Sequence, residues 1–208
     1  MDYVSYSQAG QEEWVIDYLD GLKGGFFLDI GAMEGKVMSN THALEKDFGW
    51  TGLLVECKPQ WIEQLKNNRS SIVVPYAMYS HNGWMNFRYD REEIVKGYTN
   101  RGNPVPTITF PRLFEMHEVP EVIDYMSIDI EGSELAALST FPFDKHRIKV
   151  ITCEHNSYLY GLENRDGLRE LLQSNGYIMI RKDVDCRDSG YQPFEDWWAH
   201  KDYVKSKQ

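Results

Sequence analysis

Four apolar runs in this 208-residue chain end on an acid. Phe26-Phe27-Leu28 runs into Asp29, Gly52-Leu53-Leu54-Val55 into Glu56, Tyr125–Ile128 into Asp129 with Glu131 two residues on, and Ile148–Cys153 into Glu154, His155 and Asn156. A buried acid without a partner is costly, so the repetition marks a place where something binds. Carboxylates hold hydroxyls and cations, and they take a proton from a weakly acidic hydroxyl. Asp129, Glu131 and His155 are the candidates for proton removal. Glu154 and Asn156 flank the imidazole and could hold it in one tautomer; a hydrogen-bonded cleft histidine without a proton role is the plainer alternative.

The elements that must position these groups alternate. Ser7 is a candidate cap for a helix over roughly 8–22, with Trp14, Val15, Tyr18, Leu19 and Leu22 on one face and Gly24-Gly25 as its stop. A strand at 26–30, a helix at 39–48 and a strand at 52–56 follow. Pro59 opens a helix carrying Trp61, Ile62 and Leu65. A strand is expected at 71–78, a fourth at 125–130 with a helix through Leu135 and Leu138, and a fifth at 148–154. A helix over 165–175 ends at Gly176, and 177–180 is the last strand. Strands apolar on both faces and alternating with helices predict a mostly parallel sheet covered on both sides. Ligands bind such a sheet at the carboxyl ends of its strands, where the acids stand, together with Ala77 and Met78. The stretch 84–122 reads as an insertion over that face or a disordered surface loop. "WMNFRYD" is a candidate strand in it, and Asn103, Pro104, Pro106, Pro111 and Pro120 break it up.

"DIGAMEG", 29–35, lacks the G-x-G-x-x-G spacing of a dinucleotide turn. Its Gly31 and Gly35 leave one tight turn and no close seat for a pyrophosphate, which disfavours a nicotinamide oxidoreductase. S-adenosylmethionine (SAM) has no phosphate, and its sulfonium cation suits an acidic cleft. Glu56 stands where an acid accepts ribose hydroxyls. Asn40, in "SNT" at a helix start, could hold the SAM carboxylate with backbone donors, although capping accounts for the triplet equally well. Gln8 and Gln11 are open between ligand contact and helix-start polarity.

Composition bounds the rest. The net charge of -10 excludes a nucleic-acid backbone as main partner. No apolar run reaches ~20 residues, so no membrane span is expected, and no signal peptide precedes the first helix. A cytoplasmic protein is the default, either one domain over 1–208 or part of a longer chain. Cys57, Cys153 and Cys186 are too scattered for a disulfide framework or zinc site. His42, His81, His117 and His146 read as surface residues. Trp197, Trp198 and His200 read as packing of the C-terminal tail, though an aromatic pair also suits the apolar face of a sugar.

The blocks "SQAGQEEWV", "GGFFLDIGAMEG", "SNTHALEKDFGWTGLLVE", "IDYMSIDIEGSELAAL", "ITCEHN" and "DWWAH" together span nearly the whole chain. In them the sequence resembles the FkbM family of SAM-dependent methyltransferases. The resemblance implies the class I (Rossmann-like) sheet of seven strands with an antiparallel final strand, and O-methylation of a hydroxyl. By family habit the acceptor is a sugar, in a glycan or glycosylated metabolite; rhamnose is one such deoxyhexose. Glu34 stands where aspartate is common, and Cys57 where the family more often has proline. Asp29, Gly31, Glu34, Gly35, Asn40, Glu56, Ala77 and Met78 are the expected SAM contacts. Catechol and macrocin-type methyltransferases place metal ligands after their fourth and fifth strands. By that likeness Asp129, Glu154 and Asn156 are candidate ligands for magnesium or manganese. A non-sugar acceptor and an inactive SAM- or glycan-binding module are the remaining alternatives. Oligomeric state is not encoded in any of these features.

Overall fold

A computed structural model describes residues 3–88, 93–94, 102–185 and 193–204. The main sheet has seven strands: β1 (Phe26–Ile30), β2 (Thr51–Val55), β3 (Ile72–Val74), β8 (Val122–Ile128), β9 (Arg147–Glu154), β10 (Tyr177–Asp185) and β11 (Pro193–His200). Their order is β10-β11-β9-β8-β1-β2-β3. β1, β2, β3, β8 and β9 pair in parallel, and β11 runs antiparallel between β9 and β10. The fold is therefore the class I methyltransferase architecture, α/β with helices on both faces.

Period-2 alternation sends successive residues of each strand to opposite faces. Phe27, Leu54, Tyr125, Val150 and Trp197 meet α1 (Gln11–Tyr18), α2 (His42–Phe48) and α3 (Pro59–Asn68) through Val15, Leu44 and Leu65. Leu28, Leu53, Met126, Ile151 and Trp198 meet the other layer through Leu113 of α4 (Phe110–Met116), Leu138 of α5 (Glu134–Leu138) and Leu172 of α7 (Leu162–Ser174). Trp197 and Trp198 thus fill one core each, at 0% and 1% exposure. They are packing residues, as expected, but in a strand rather than a tail.

Several expectations are corrected. Ser7 does not cap α1: Gly10 occupies that position at φ 88, and the helix ends at Tyr18. The hydroxyls of Ser5 and Ser7 instead donate to Glu13 at 2.8 and 3.2 Å. The run 71–78 is not one strand. Pro75, which has no N–H for a ladder, separates β3 from β4 (Ala77–Met78), and β4 belongs to a second sheet. That sheet is built largely by the insertion, in the order β4-β7-β5-β6, with β5 (Gly83–Arg88), β6 (Glu93–Ile94) and β7 (Asn103–Ile108). Tyr89 and Asp90 of the candidate strand lie outside the described residues. Pro104 and Pro106 do not break the segment. They lie in β7, whose β4 side pairs only at Thr107 and Ile108, so an open edge is available to the prolines. Pro111 lies in the first turn of α4, which Thr109 caps by accepting from the Arg112 N–H. β11 was not legible as a strand because its polar residues, Glu195 and Asp196, are buried too, at 2% each. Cys57 and Cys153 are free thiols, half-buried and buried; Cys186 lies outside the described residues. Among the described residues no helix is long and apolar enough to cross a membrane.

Candidate active site

Strand order reverses between β1 and β8, and the cleft opens beyond their carboxyl ends. The two tips are locked together: the Asp129 N–H donates to the Ile30 carbonyl at 2.9 Å. A Cβ on Gly31, at φ +93, would stand 1.9 Å from the Asp129 carbonyl oxygen. Glycine is therefore required there by the approach of β8, before any ligand is considered.

A cavity of about 290 Å³ fills the cleft, near the lower end for ligand sites. One half is walled by Gly31, Met33, Glu56, Trp61, Ala77 and Met78. Glu56, only 6% exposed, accepts from three backbone N–H groups: Met33 at 3.0 Å, Cys57 at 2.7 Å and Lys58 at 2.8 Å. The Cys57 thiol lies within hydrogen-bond reach of the same carboxylate. Burial pushes the Glu56 carboxyl up to about 7, against the lowering effect of those donors.

The other half is walled by Asp129, Glu131 and Ser133 after β8, by Glu154 and Asn156 after β9, and by Tyr158, Leu159 and Phe194. Carboxylate oxygens of Asp129, Glu131 and Glu154 lie within 4.8 Å of one another. Burial, followed by the charges of Asp129, Glu134 and Glu131, raises the Glu154 carboxyl well above the ordinary range. Asn156 clamps the group through its amide nitrogen, which donates to Glu154 Oε1 at 2.5 Å and to Glu131 Oε2 at 3.3 Å. Asn156 and Glu131 both hold left-handed backbone, at φ 41 and φ 55, a costly conformation for non-glycine residues. Glu134 fastens the turn beneath. Fully buried, it accepts from the N–H groups of Ile130 (2.9 Å) and Gly132 (3.0 Å) and from the Asn164 amide (2.9 Å).

Other expected site residues lie elsewhere. His155, 1% exposed, is not on the cavity wall. Its Nδ1 accepts from the Ser157 N–H at 3.2 Å, and its Nε2 faces Asp196 at 3.7 Å and Asp183 at 3.8 Å. His155, the expected base, thus lies behind the wall: alternate residues at a strand end point to opposite sides, and Glu154 takes the cavity side. Asp29 is buried behind the wall and accepts from Thr41 Oγ1 at 2.5 Å. Glu34 turns outward to the Val37 N–H and to Asn68 at 2.7 Å. Gly35 is a packing glycine, since a Cβ there would meet Leu65 Cδ1 at 2.3 Å. Asn40 donates to Ser127 Oγ at 2.9 Å. These four shape the loop after β1 instead of facing the cavity. Gln8 lines it, whereas Gln11 is buried and accepts from the Ala9 N–H at 2.9 Å.

The sequence reading missed Met33, Tyr76, Phe87, Ser133, Tyr158, Leu159 and Phe194 as wall residues and did not assign Trp61 to the wall. Only Met33 and Ser133 carried a signal, lying inside the two blocks that follow β1 and β8. Asn156, whose oxygen is the expected metal ligand, presents its amide nitrogen to Glu154 and Glu131 here; two neighbouring carboxylates attract the donor end of the amide.

A family model described as the methyltransferase FkbM domain matches residues 29–179. No curated protein sequence matches the chain. Among solved structures, the chain is similar to a precorrin-6y C5,15-methyltransferase from Geobacter metallireducens, with a TM-score of 0.53 at 12% identity over 91% of this chain and 87% of that one. It is similar to the magnesium protoporphyrin IX methyltransferase of Synechocystis with bound SAM, with a TM-score of 0.54 at 10% identity over 93% and 79%. A putative rRNA methylase from Clostridium thermocellum gives 0.53 at 10% identity over 95% and 97%. At these identities the likeness is one of fold.

Proposed function

Since the chain belongs to the FkbM methyltransferase family, we propose that it is a SAM-dependent O-methyltransferase acting on a hydroxyl of a neutral saccharide or glycoconjugate. The observation that carries this reading is the meeting of Asp129, Glu131 and Glu154 in the same cavity as Glu56. SAM occupies the Glu56 half. Glu56, on the cavity wall, accepts a ribose hydroxyl, and Met33, Trp61, Ala77 and Met78 enclose the remainder. The acceptor enters the other half, its oxygen about 3 Å from the sulfonium methyl and in line with the C–S bond. The oxygen–carbon bond forms as the carbon–sulfur bond breaks, and that electron pair stays on sulfur to give the demethylated product. The hydroxyl proton passes to Asp129, with Glu131 and Glu154 sharing it. Burial and the charges of Asp129 and Glu131 raise the proton affinity of Glu154, which suits it to hold a proton taken from a weak acid. Magnesium or manganese held by the same acids would assist that step.

The walls also point to the class of acceptor. They carry four acids and, among the described residues, no lysine or arginine. Phosphorylated sugars and nucleic acid would be repelled, in keeping with the net charge of -10. Met38, Tyr158 and Leu159 stand at the mouth, 44%, 46% and 60% exposed. They suit an acceptor with an apolar side, such as the methyl of a deoxyhexose like rhamnose. The same rim supports a second reading, a hydroxyl on an apolar non-sugar small molecule.

Mass spectrometry of a panel of neutral deoxyhexosides, phosphorylated sugars and apolar alcohols incubated with SAM tests the proposal. A neutral hydroxyl acceptor gains one methyl group, and Asp129→Asn reduces turnover by ~10²–10⁴ while SAM still binds. Methylation confined to phosphorylated acceptors, or an Asp129→Asn chain as fast as the parent, overturns it.

A further inference from the structure

We propose that His155, buried behind the cavity wall, is a positioning residue that anchors the short helix at the cavity mouth. That helix, α6 (Ser157–Tyr160), places Tyr158 and Leu159 on the wall, at 46% and 60% exposure. Burial of those two side chains therefore contributes little to holding it in place. The helix is bounded on both sides by unusual backbone. Asn156 before it is left-handed at φ 41, and Gly161 after it stands at φ 80, ψ -174, a region open essentially to glycine alone. A Cβ on Gly161 would meet nothing within 4 Å, so the glycine serves the turn of the chain and not a close approach.

An N–H in the first turn of a helix has no partner within the helix. The Ser157 N–H donates instead to His155 Nδ1 at 3.2 Å. A ring nitrogen that accepts carries no proton, so the proton of the neutral imidazole is on Nε2. Nε2 faces Asp196 Oδ1 at 3.7 Å and Asp183 Oδ1 at 3.8 Å. Those distances exceed a hydrogen bond, but two carboxylates favour the N–H form of the nitrogen they face. Moving the proton to Nδ1 would set two N–H groups against each other. The carboxylates are themselves fixed, since Arg169 reaches Asp183 Oδ1 at 2.7 Å and Asp196 at 2.7 and 2.9 Å. A chain of contacts thus runs from α7 through β10 and β11 to the imidazole, and from its other nitrogen to the mouth. The consequence for the acceptor rests on the methyl-transfer reading: with α6 fixed, Tyr158 and Leu159 meet the acceptor in one arrangement, so binding does not have to order that segment.

Brief digestion with chymotrypsin, with cleavage after Tyr158 or Leu159 identified by mass spectrometry, reads the anchor without SAM or acceptor. Asparagine carries an oxygen two bonds from Cβ, as Nδ1 is, whereas the polar end of glutamine lies three bonds out, as Nε2 does. His155→Asn therefore keeps an acceptor for Ser157 and is cut within about twofold of the parent's rate, while His155→Gln loses it and is cut there at least about tenfold faster. Circular dichroism shows whether each variant folds, and His155→Ala, which also lacks the acceptor and adds no bulk, stands in for a His155→Gln that has not folded. An unchanged rate in the variant without an acceptor overturns the proposal, and so does equal acceleration in His155→Asn. On a neutral acceptor from the panel, His155→Gln raises KM about tenfold and leaves kcat within about twofold of the parent, and His155→Asn restores KM. Loss of kcat with KM unchanged overturns positioning in favour of a proton role. Digestion uses neither methyl donor nor acceptor, so its failure leaves methyl transfer untouched, and a parent that methylates nothing leaves the anchor to be decided by digestion.

Discussion

Two clusters of acids flank the end of β9 with their oxygens at similar spacing: Asp183 and Asp196 beside His155, and Asp129 and Glu131 beside Glu154. In one, Asp183 and Asp196 share the guanidinium of Arg169. Burial alone would raise Asp196, but His155 and Arg169 hold its carboxyl down at about 2. In the other, the partner of Glu154 is an amide, Asn156, and its carboxyl is driven upward by burial and by Asp129, Glu134 and Glu131. The first cluster is a strut between α7, β10 and β11. The second stores repulsion beside a cavity. Carboxylate spacing does not separate a structural cluster from a chemical one. What separates them is the partner of the central acid: a guanidinium for Asp196 and an amide for Glu154.

The most damaging way to break this contrast is to remove that cation. Arg169→Met leaves two largely buried acids facing each other and is expected to destabilise the chain by about 3–5 kcal/mol. Urea denaturation measures it; a loss below about 1 kcal/mol would show that the strut has no such role. Glu56 tests a third kind of acid, one satisfied mainly by backbone donors. Glu56→Ala should weaken SAM binding by about 2–3 kcal/mol, read by calorimetry, and an affinity equal to the parent's would sink the ribose assignment.

The smallest effects sharpen the comparison because they differ in sign. Without SAM or added metal, Glu154→Gln relieves buried repulsion and should raise stability by about 1 kcal/mol, whereas Asp183→Asn weakens the Arg169 pair and should lower it by a similar amount. Equal signs would erase the distinction. The pH dependence follows the same division. Burial raises Glu12 and Glu56 to about 7 and Glu195 to about 8. Raised carboxyls contribute stability that is complete below their ordinary pKa of 4.5 and is lost as pH climbs through 7 to 8. The depressed Asp196 works the other way: its contribution is present above its ordinary 3.8 and is lost as pH falls toward about 2. Melting temperature should therefore decline from pH 5 to pH 8, and Glu195→Gln should flatten that decline by a few degrees.

Local pattern alone determined the strands at 26–30, 52–56 and 148–154 to within a few residues, and with them the parallel sheet and the positions of Glu56, Asp129, Glu131 and Glu154 at its edge. A strand buried on both faces leaves an apolar run, and the residue at its tip is set by counting, so no distant contact is needed to read it. β11 had no such legibility, because Asp196 is a polar residue whose burial depends on Arg169 and His155 from elsewhere in the chain. The proline-rich segment failed for a related reason: Pro104 and Pro106 are tolerated by the side of β7 beyond its short pairing with β4, while β5 pairs along the other side. Within the site, the type of each acid was written in the sequence, but its direction was not. Glu154 and His155 are adjacent, and one-residue alternation sends the first into the cavity and the second toward Asp183 and Asp196. Only the tertiary structure decided which carboxylates received Arg169, because Arg169 lies on α7, 14 residues before Asp183 and 27 before Asp196, and no local spacing encodes the meeting.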